Sequence, residues 1–236
     1  MQGRDSQRSM YELGEATMAQ RVTLAVMVGL WVGLGWWLLM GGGLETAHGW
    51  FGWIRGSGDR PRQICLATAF SIYYIRILFT EFVFLKRGVS WSEVLTIAPW
   101  ALFIFLLLGI AGGTNPDVLG AMGFAGMSLF LLGSWMNSSA ERARHVWKQR
   151  RENRGKLYTR GLFHYSRHPN YLGDLLSFSG MCLISGAWVT AVIPVLMLAG
   201  FVFVNIPVLD SHLHGHYGAA FDEYARRTRK LIPFIY

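Results

Sequence analysis

The sequence predicts an all-α integral membrane protein with about six transmembrane helices, a basic cytoplasmic loop and a C-terminal cap helix. Of its 236 residues, 52% are hydrophobic and only 15% are charged. The apolar residues form continuous blocks of about 20 residues, the length that a helix needs to cross ~30 Å of hydrocarbon. A membrane β-barrel would instead show alternating segments of about 10 residues separated by turns.

Six apolar blocks are drawn as spans, at residues 22–44, 64–85, 94–113, 118–136, 171–190 and 191–209. The last two blocks are joined almost without a loop, so we predict a tight helical hairpin that crosses the membrane fully or only part-way. No internal repeat divides the chain, and residues 1–236 are predicted to form a single domain with a polar N-terminal tail at 1–21.

Basic side chains concentrate between the fourth and fifth blocks, in a chain whose net charge is +8. The cluster comprises Arg142, Arg144, Lys148, Arg150, Arg151, Arg154, Lys156, Arg160 and Arg167. Because basic loops stay on the cytoplasmic side, we predict that both termini are cytoplasmic, although Arg55, Arg60 and Arg62 argue for the opposite side. Such a cluster fits membrane topology, an anionic lipid or an anionic cofactor.

Residues 161–174, with the sequence GLFHYSRHPNYLGD, crowd many polar residue types against the start of the fifth block. Pro169 suits the first turn of a helix, where its missing N–H is not needed. The free amides of that turn, together with Arg160 and Arg167, predict a site for a phosphate or carboxylate. Asn170 and Asp174 share a helix face just inside the membrane, where an unpaired acid is costly, so we expect each to have a partner.

A purely structural role for the same residues is the alternative. In that case Arg167 reaches the lipid headgroups, His168 caps the helix, and Asp174 pairs with a neighbouring basic side chain. The density of different polar types within one and a half turns favours a binding site.

The run RHPNYLGD at 167–174 resembles the signature of the integral-membrane steroid 5α-reductase and sterol reductase family, and small bacterial members of unknown function look most similar. Features of the tail add to the resemblance, namely Asp210, Leu213, Tyr217, Gly218, Tyr224 and the sequence LIPFIY at 231–236. Isoprenylcysteine carboxyl methyltransferases and phospholipid N-methyltransferases share the RHPxY core. The resemblance covers about residues 137–236.

The resemblance implies a cytoplasmic-side pocket for a nucleotide cofactor in residues 137–236, roofed by the 138–170 segment and the tail, beside a lipid-accessible cavity. The cofactor is NADPH in the reductases and S-adenosylmethionine in the methyltransferases. The matching positions are Arg167, His168, Asn170, Tyr171, Asp174, Asp210, Tyr217 and Tyr224. Asp210 replaces a usual Glu, and the sequence SAER at 139–142 replaces an NxQK run, so Arg142 and Lys148 are expected to supply positive charge.

Saturating an activated double bond needs a hydride on one carbon and a proton on its neighbour or on a conjugated carbonyl. The second block contains Tyr73, Tyr74, Arg76 and Glu81, and a seven-residue separation places Tyr74 and Glu81 on one helix face. We therefore predict Tyr74 and Glu81 as catalytic. The alternative is that Arg76 and Glu81 are neutralised by each other or by residues of other helices, or that Glu81 lies near the cytoplasmic end beside Lys86 and Arg87.

The leading hypothesis is an NADPH-dependent membrane reductase of an activated C=C bond in a steroid, sterol or enoyl-type lipid, which the NYLGD continuation at 170–174 favours. The alternatives are an S-adenosylmethionine-dependent methyltransferase of a lipid or lipidated carboxylate, and a non-enzymatic membrane component. The predicted partners are the lipid bilayer and a lipid-like small molecule, with no nucleic acid.

Apolar residues recur every three or four positions after Asp210, which predicts a cap helix that Gly215 and Gly218 can break in two. This stretch also contains His212, His214 and His216, but no neighbouring carboxylate or Cys is spaced to complete a metal site. We predict no metal, and a cap helix that contacts the cofactor or lipid headgroups.

Overall fold

The computed structural model describes residues 17–52 and 58–236. Most of the predicted N-terminal tail and Arg55 therefore lie outside the described residues. Within the described part of the chain the regular elements are helices, and the β-structure is one isolated bridge between Ser166 and Arg229. The prediction of an all-α membrane protein is confirmed.

The α-helices follow the predicted apolar blocks. They are α1 (Met18–Met40), α2 (Gly43–Phe51), α3 (Arg60–Phe79), α4 (Trp91–Thr114), α5 (Ala121–Gln149), α6 (Pro169–Ser185), α7 (Val192–Gly200), α8 (Ile206–Tyr217) and α9 (Ala219–Arg227). A π-helical turn, Thr80–Phe84, extends α3, and a second one, Phe201–Asn205, joins α7 to α8. Short 3₁₀ turns lie at Arg151–Asn153, Gly161–His164 and Trp188–Ala191.

Within the described residues, four continuous helical stretches are long and apolar enough to cross a membrane, at Met18–Met40, Arg60–Phe84, Trp91–Thr114 and Trp188–Tyr217. The other two predicted spans are helical as well, but α5 ends in a polar half and α6 has 17 residues. The protein is an integral membrane protein, and six crossings stay a prediction. The predicted hairpin forms where Gly186, at φ +67°, ends α6 and the Trp188–Ala191 turn leads into α7.

The core of the bundle lies where α1, α3, α4 and α6 meet. Its largest side chains include Phe70 and Phe105, whose rings meet edge to face at 4.9 Å between centroids. A buried aromatic pair of this kind adds about 0.5–1.5 kcal/mol beyond the area that it removes from solvent. This contact joins α3 to α4 in the core.

Glycines bring α5 and α6 into backbone contact. A Cβ atom on Gly133 would lie 2.5 Å from the carbonyl oxygen of Gly173, and one on Gly180 would lie 2.5 Å from that of Gly126. Membrane helices approach this closely only where small residues line the interface. The contact positions the polar end of α5 beside the start of α6.

The two ends of the bundle are closed differently. At one end, the buried guanidinium of Arg62 donates to the carbonyl oxygens of Ile184 (2.5 Å) and Asp117 (2.9 Å), which ties α3 to the end of α6. At the other end, Arg21 donates to the carbonyls of Glu81, Leu85 and Arg87. The ring contact of Phe84 with His145 places the basic α5–α6 segment at this second end, which we call the cap end.

Candidate functional site

The start of α6 is bound to α8 through one carboxylate. Asp210 accepts from Arg167 Nη2 at 3.1 Å through Oδ2, and its Oδ1 lies 3.0 Å from His168 Nε2. Arg167 and His168 are both buried. The short Asp210 side chain therefore reaches both partners, and these three predicted residues form one cluster, named the collar below.

One donor of the collar is left over. Arg167 Nε is buried and has no hydrogen-bond partner among the described residues, while its guanidinium carbon lies 5.6 Å from the centre of the Phe221 ring. Buried polar atoms in folded proteins nearly always have a partner, so an orphan donor at a candidate site fits an absent acceptor such as a ligand oxygen.

The backbone around the collar is held by the tail. The amides of Arg167 and His168 donate to the carbonyls of Arg229 (2.8 Å) and Lys230 (3.1 Å). Tyr224, predicted to bind the cofactor, instead donates its hydroxyl to the carbonyl oxygen of Phe163 at 2.5 Å. Burial raises the pKa of the Tyr224 phenol above its ordinary value, so this hydroxyl stays a donor. Tyr224 thereby connects α9 to the turn that precedes the collar, and its cofactor-binding role stays a prediction.

Asn170 faces α5, where its partner is an acid that the sequence analysis did not select. Its Nδ2 atom donates to Glu141 Oε1 at 3.0 Å, and Arg144 Nη2 contacts Glu141 Oε2 at 2.6 Å. Glu141 is buried, whereas the predicted Arg142 beside it is exposed. The spacing of Asn137 and Glu141, four residues apart on one face, was the available signal, because Asn137 also donates to the carbonyl of Asn170.

Asp174 has the partner that its position required. Arg76 of α3 contacts Asp174 Oδ1 through Nη2 at 2.6 Å, and its Nη1 lies 3.4 Å from Ser177 Oγ. The guanidinium also lies over the Tyr73 ring, 4.8 Å from its centre. The expectation of a partner for Asp174 is confirmed, and Arg76 is neutralised by this acid of another helix, as one branch of the alternative for Arg76 predicts, rather than by Glu81.

The two predicted catalytic residues lie on the opposite side of α3. Tyr74 donates its hydroxyl to the carbonyl of Ala25 in α1 at 3.1 Å. Glu81 lies in the π-turn, where its charged neighbours are Arg21, Arg87 and Glu93, and its Oε2 atom is buried without a partner among the described residues. Tyr74 faces α1, whereas Tyr73 and Arg76 face α6, so the structure groups Tyr73 with the predicted cofactor residues.

The remaining predicted residues extend from the collar to the surface. The Tyr171 ring stacks on His168 (5.4 Å between centroids) and on Phe201 (4.7 Å). Lys148 Nζ donates to the Tyr217 hydroxyl at 3.0 Å, and Arg160 is exposed. The aromatic contacts of Tyr171 are thus made within the protein.

A cavity of about 410 Å³ lies between the 155–159 segment and helices α8 and α9. This is within the usual size of small-molecule sites. It is lined by Gly155, Lys156, Leu157, Thr159, His216, Tyr217, Ala220, Glu223 and Arg227. Tyr217 is the predicted cofactor-binding residue that reaches it, and the cavity lies where the basic segment and the tail were expected to form a roof.

The three histidines at alternate positions of α8 make different contacts. The rings of His212 and His216 stack with 6.4 Å between centroids, and His214 Nδ1 lies 2.8 Å from Asp222 Oδ1. Gly218, at φ +52°, breaks the predicted cap helix into α8 and α9, while Gly215 stays within α8. Among the described residues, no group of three His, Cys, Asp or Glu side chains is placed to hold a metal ion.

The chain belongs to the family described as "Protein of unknown function (DUF1295)", whose model matches residues 8–228. Protein-S-isoprenylcysteine O-methyltransferase of Schizosaccharomyces pombe is 26% identical over 151 residues, 64% of this chain and 62% of that protein. The B form from Arabidopsis thaliana is 28% identical over 115 residues, 47% of this chain and 58% of that protein.

A second class of relatives is represented by 3-oxo-5-alpha-steroid 4-dehydrogenase 2 of Sus scrofa. It is 29% identical over 111 residues, which cover 47% of this chain and 42% of that protein. The chain thus spans about 60% of the length of the methyltransferases named above and less of the steroid enzyme. The predicted relationship to both classes is confirmed, and the named relatives are enzymes.

Proposed function

We propose that this protein is an NADPH-dependent membrane reductase that saturates an activated C=C bond in a lipid-like substrate of the steroid, sterol or enoyl type. The observation that carries the proposal is the Tyr73–Arg76–Asp174 cluster between α3 and α6. It offers a phenol and a guanidinium side by side at membrane depth. NADPH, when bound, supplies a hydride, so the protein must supply the proton.

In this proposal Tyr73 is the proton donor in place of the predicted Tyr74. Its ring lies against the Arg76 guanidinium and the Phe178 ring, 4.9 Å away between centroids. Arg76 is held by Asp174, so its position is fixed before a substrate arrives. A fixed cation such as Arg76, next to the proton donor Tyr73, stabilises negative charge that develops on a conjugated carbonyl oxygen of the substrate. The Tyr74 hydroxyl is already committed to a backbone carbonyl.

The cap end fits an anionic cofactor. Arg167 offers a buried donor without a partner, and Lys148, Lys156 and Arg227 lie at or beside the cavity, opposed by the single acid Glu223 of its lining. Arginine holds phosphate oxygens with directed hydrogen bonds. The phosphates of NADPH match this charge, whereas the sulfonium of S-adenosylmethionine is itself a cation. These residues are the ones that would hold the nucleotide.

A methyltransferase of a lipid or lipidated carboxylate is the second candidate, favoured by the extent of the similarity. The Schizosaccharomyces pombe methyltransferase matches 64% of this chain, and the steroid dehydrogenase of Sus scrofa matches 47%. Methylation of a carboxylate requires no proton donor, so the Tyr73–Arg76 pair would then have no chemical task.

The experiment that separates the candidates is a thermal shift measurement on the detergent-solubilised protein, with NADPH and S-adenosylmethionine added separately. A ligand that binds the folded state raises Tm by mass action. We expect NADPH to raise Tm and S-adenosylmethionine to leave it unchanged. A shift with S-adenosylmethionine alone supports the methyltransferase, and no shift with either ligand supports a non-enzymatic membrane component.

A further inference from the structure

Residues 231–236 form a small closed loop that presents two apolar side chains outward. The amides of Leu231 and Ile232 donate to the carbonyl of Tyr236 at 2.7 and 2.9 Å, and the amide of Tyr236 donates back to Ile232 at 3.1 Å. Leu231 is fully buried, whereas Phe234 is 84% exposed and Ile235 is 75% exposed. The loop is therefore anchored at its base and apolar at its tip.

The base of the loop packs on apolar side chains of α6 and of the Trp188–Tyr217 stretch, which is long and apolar enough to cross a membrane. Leu231 lies in a cluster with Leu172 and Ile206, against which Tyr171, Leu176, Phe201, Ile232 and Tyr236 pack. Leu176 lies about two turns into α6, and Phe201 lies inside the apolar stretch Trp188–Tyr217. Phe203 on that stretch is 77% exposed, as expected for a residue in contact with lipid. The loop thus continues a lipid-facing surface.

The tip has a backbone conformation that its residue type disfavours. Phe234 is the non-glycine residue with a positive φ, +67°, among those that the structure describes. A bulky side chain in the left-handed region costs free energy and persists only where other interactions compensate. The hydrogen bonds from the amides of Ile235 and Tyr236 to the carbonyl of Ile232 support this conformation, which leaves the Phe234 side chain almost fully exposed.

The charges near the loop match an anionic membrane surface. Arg226, Arg227 and Arg229 are exposed, and Lys230 Nζ lies 5.1 Å from the centre of the Tyr236 ring. Exposed aromatic and aliphatic side chains next to basic ones are the composition by which a segment binds the boundary between headgroups and acyl chains.

We propose that residues 231–236 form a membrane-inserted loop, in which Phe234 and Ile235 enter the headgroup–acyl boundary while Arg226 and Arg229 contact anionic headgroups. The stretch just before the tip accepts the collar amides, through the carbonyls of Arg229 and Lys230. Bilayer contact therefore stabilises the geometry of Arg167 and His168. The inference goes beyond the proposed reaction, since it holds for any function of the collar.

The first test measures the surroundings of the tip directly. A nitroxide label is placed on I235C in a background with Cys65→Ala and Cys182→Ser, and the protein is reconstituted in vesicles that contain anionic lipid. Its accessibility to dissolved oxygen and to a water-soluble nickel chelate is read by electron paramagnetic resonance. The matched control label is on R151C, an exposed position of the basic segment.

We expect the Ile235 label to be more accessible to oxygen than to the nickel chelate, and the Arg151 label to show the reverse. Greater accessibility of the Ile235 label to nickel would place the tip in water and overturn the proposal. Protection from both reagents would show that a second copy or another protein covers the tip, which also overturns it. None of these results depends on whether the protein is a reductase.

The second test asks whether insertion stabilises the fold. We compare two double variants. The Ser pair combines Phe234→Ser with Ile235→Ser, and the Leu pair combines Phe234→Leu with Ile235→Leu and keeps the tip apolar. The Ser pair is expected to lower Tm in anionic vesicles relative to the Leu pair, with a smaller difference in detergent. Equal Tm values for the two pairs in vesicles would contradict a stabilising contact with the bilayer.

Discussion

The two faces of α3 carry similar residues in different surroundings. Toward α1, the Tyr74 hydroxyl donates to a backbone carbonyl. Arg21 of α1, which lies near Glu81, donates to three backbone carbonyls at the end of this helical stretch and just after it. Toward α6, Tyr73 and Arg76 meet side chains, above all Asp174, whose side chain is 25% exposed. Hydrogen bonds from side chains to the backbone hold helices together. A network of side chains that includes a partly exposed carboxylate can instead exchange its contacts for contacts with a ligand.

The largest effect is expected from a substitution that breaks the side-chain network between α3 and α6. Asp174→Ala leaves the Arg76 cation buried without its counter-charge, and the free energy of unfolding should fall by about 3 kcal/mol, the lower part of the range for such a loss because Asp174 is partly exposed. Glu81→Ala, on the α1 side, should cost less than about 1 kcal/mol. Both values are obtained by denaturant unfolding in detergent. An equal loss in the two variants would remove the distinction between the faces.

The second prediction concerns the proton donor. Tyr73→Phe removes one hydroxyl and should lower the rate of NADPH oxidation roughly 100-fold, the low end of the contribution of a general acid. Tyr74→Phe should change this rate by less than about threefold, because its hydroxyl serves packing against α1. The assay follows NADPH absorbance with a conjugated enone lipid. A larger loss for Tyr74→Phe would restore Tyr74 and Glu81 as the catalytic pair.

The third prediction sharpens the comparison between the two ends of the bundle. Asn170→Ala removes the donor to Glu141 at the cap end and should abolish the rise in Tm that NADPH produces. Asn115→Ala is a matched control at the opposite end of the bundle, since the Asn115 side chain also donates one hydrogen bond, in its case to the backbone carbonyl of Ser185. It should keep the NADPH-induced rise intact. An undiminished shift in Asn170→Ala would show that Asn170 does not contribute to NADPH binding.

The smallest expected effect tests the positioning role of Tyr224. Tyr224→Phe loses the hydrogen bond to Phe163 and should lower the free energy of unfolding by about 1 kcal/mol, the usual contribution of one buried hydrogen bond. Tyr165→Phe, at a side chain that is 55% exposed, should lower it by less than ~0.5 kcal/mol. Thermal unfolding in detergent measures both. Loss of NADPH binding without loss of stability in Tyr224→Phe would favour the predicted cofactor role.

The helices could be predicted because every apolar block is long and continuous. The orientation of each helix about its own axis could not, since lipid surrounds a membrane helix and its outward face is as apolar as its buried one. The seven-residue separation from Glu81 predicts Tyr74, but nothing in the sequence shows that the neighbouring Tyr73 is the tyrosine turned toward α6. The contacts of the Tyr73 ring with Phe105 of α4 and Phe178 of α6 place Tyr73 on that side.

The candidate site was predictable where its residues are adjacent in sequence. Arg167, His168 and Asn170 form one motif, and Asp210 was found through the resemblance of the tail. Partners from other helices were not predictable, because Glu141 and Arg76 reach the motif only after α3, α5 and α6 have packed. A single sequence shows that Asp174 needs a cation but does not show which one supplies it.

The geometry of the candidate site depends on the absence of side chains at the glycines between α5 and α6. Gly133 and Gly173 have no side chain that could take part in a reaction, yet a methyl group at either would force α5 and α6 apart and stretch the Asn137–Asn170 and Asn170–Glu141 hydrogen bonds between the same two helices. In a saturation mutagenesis screen scored by activity, these glycine positions should therefore tolerate as few substitutions as the collar. The α5–α6 interface would then score like a substrate-binding surface although it touches no substrate.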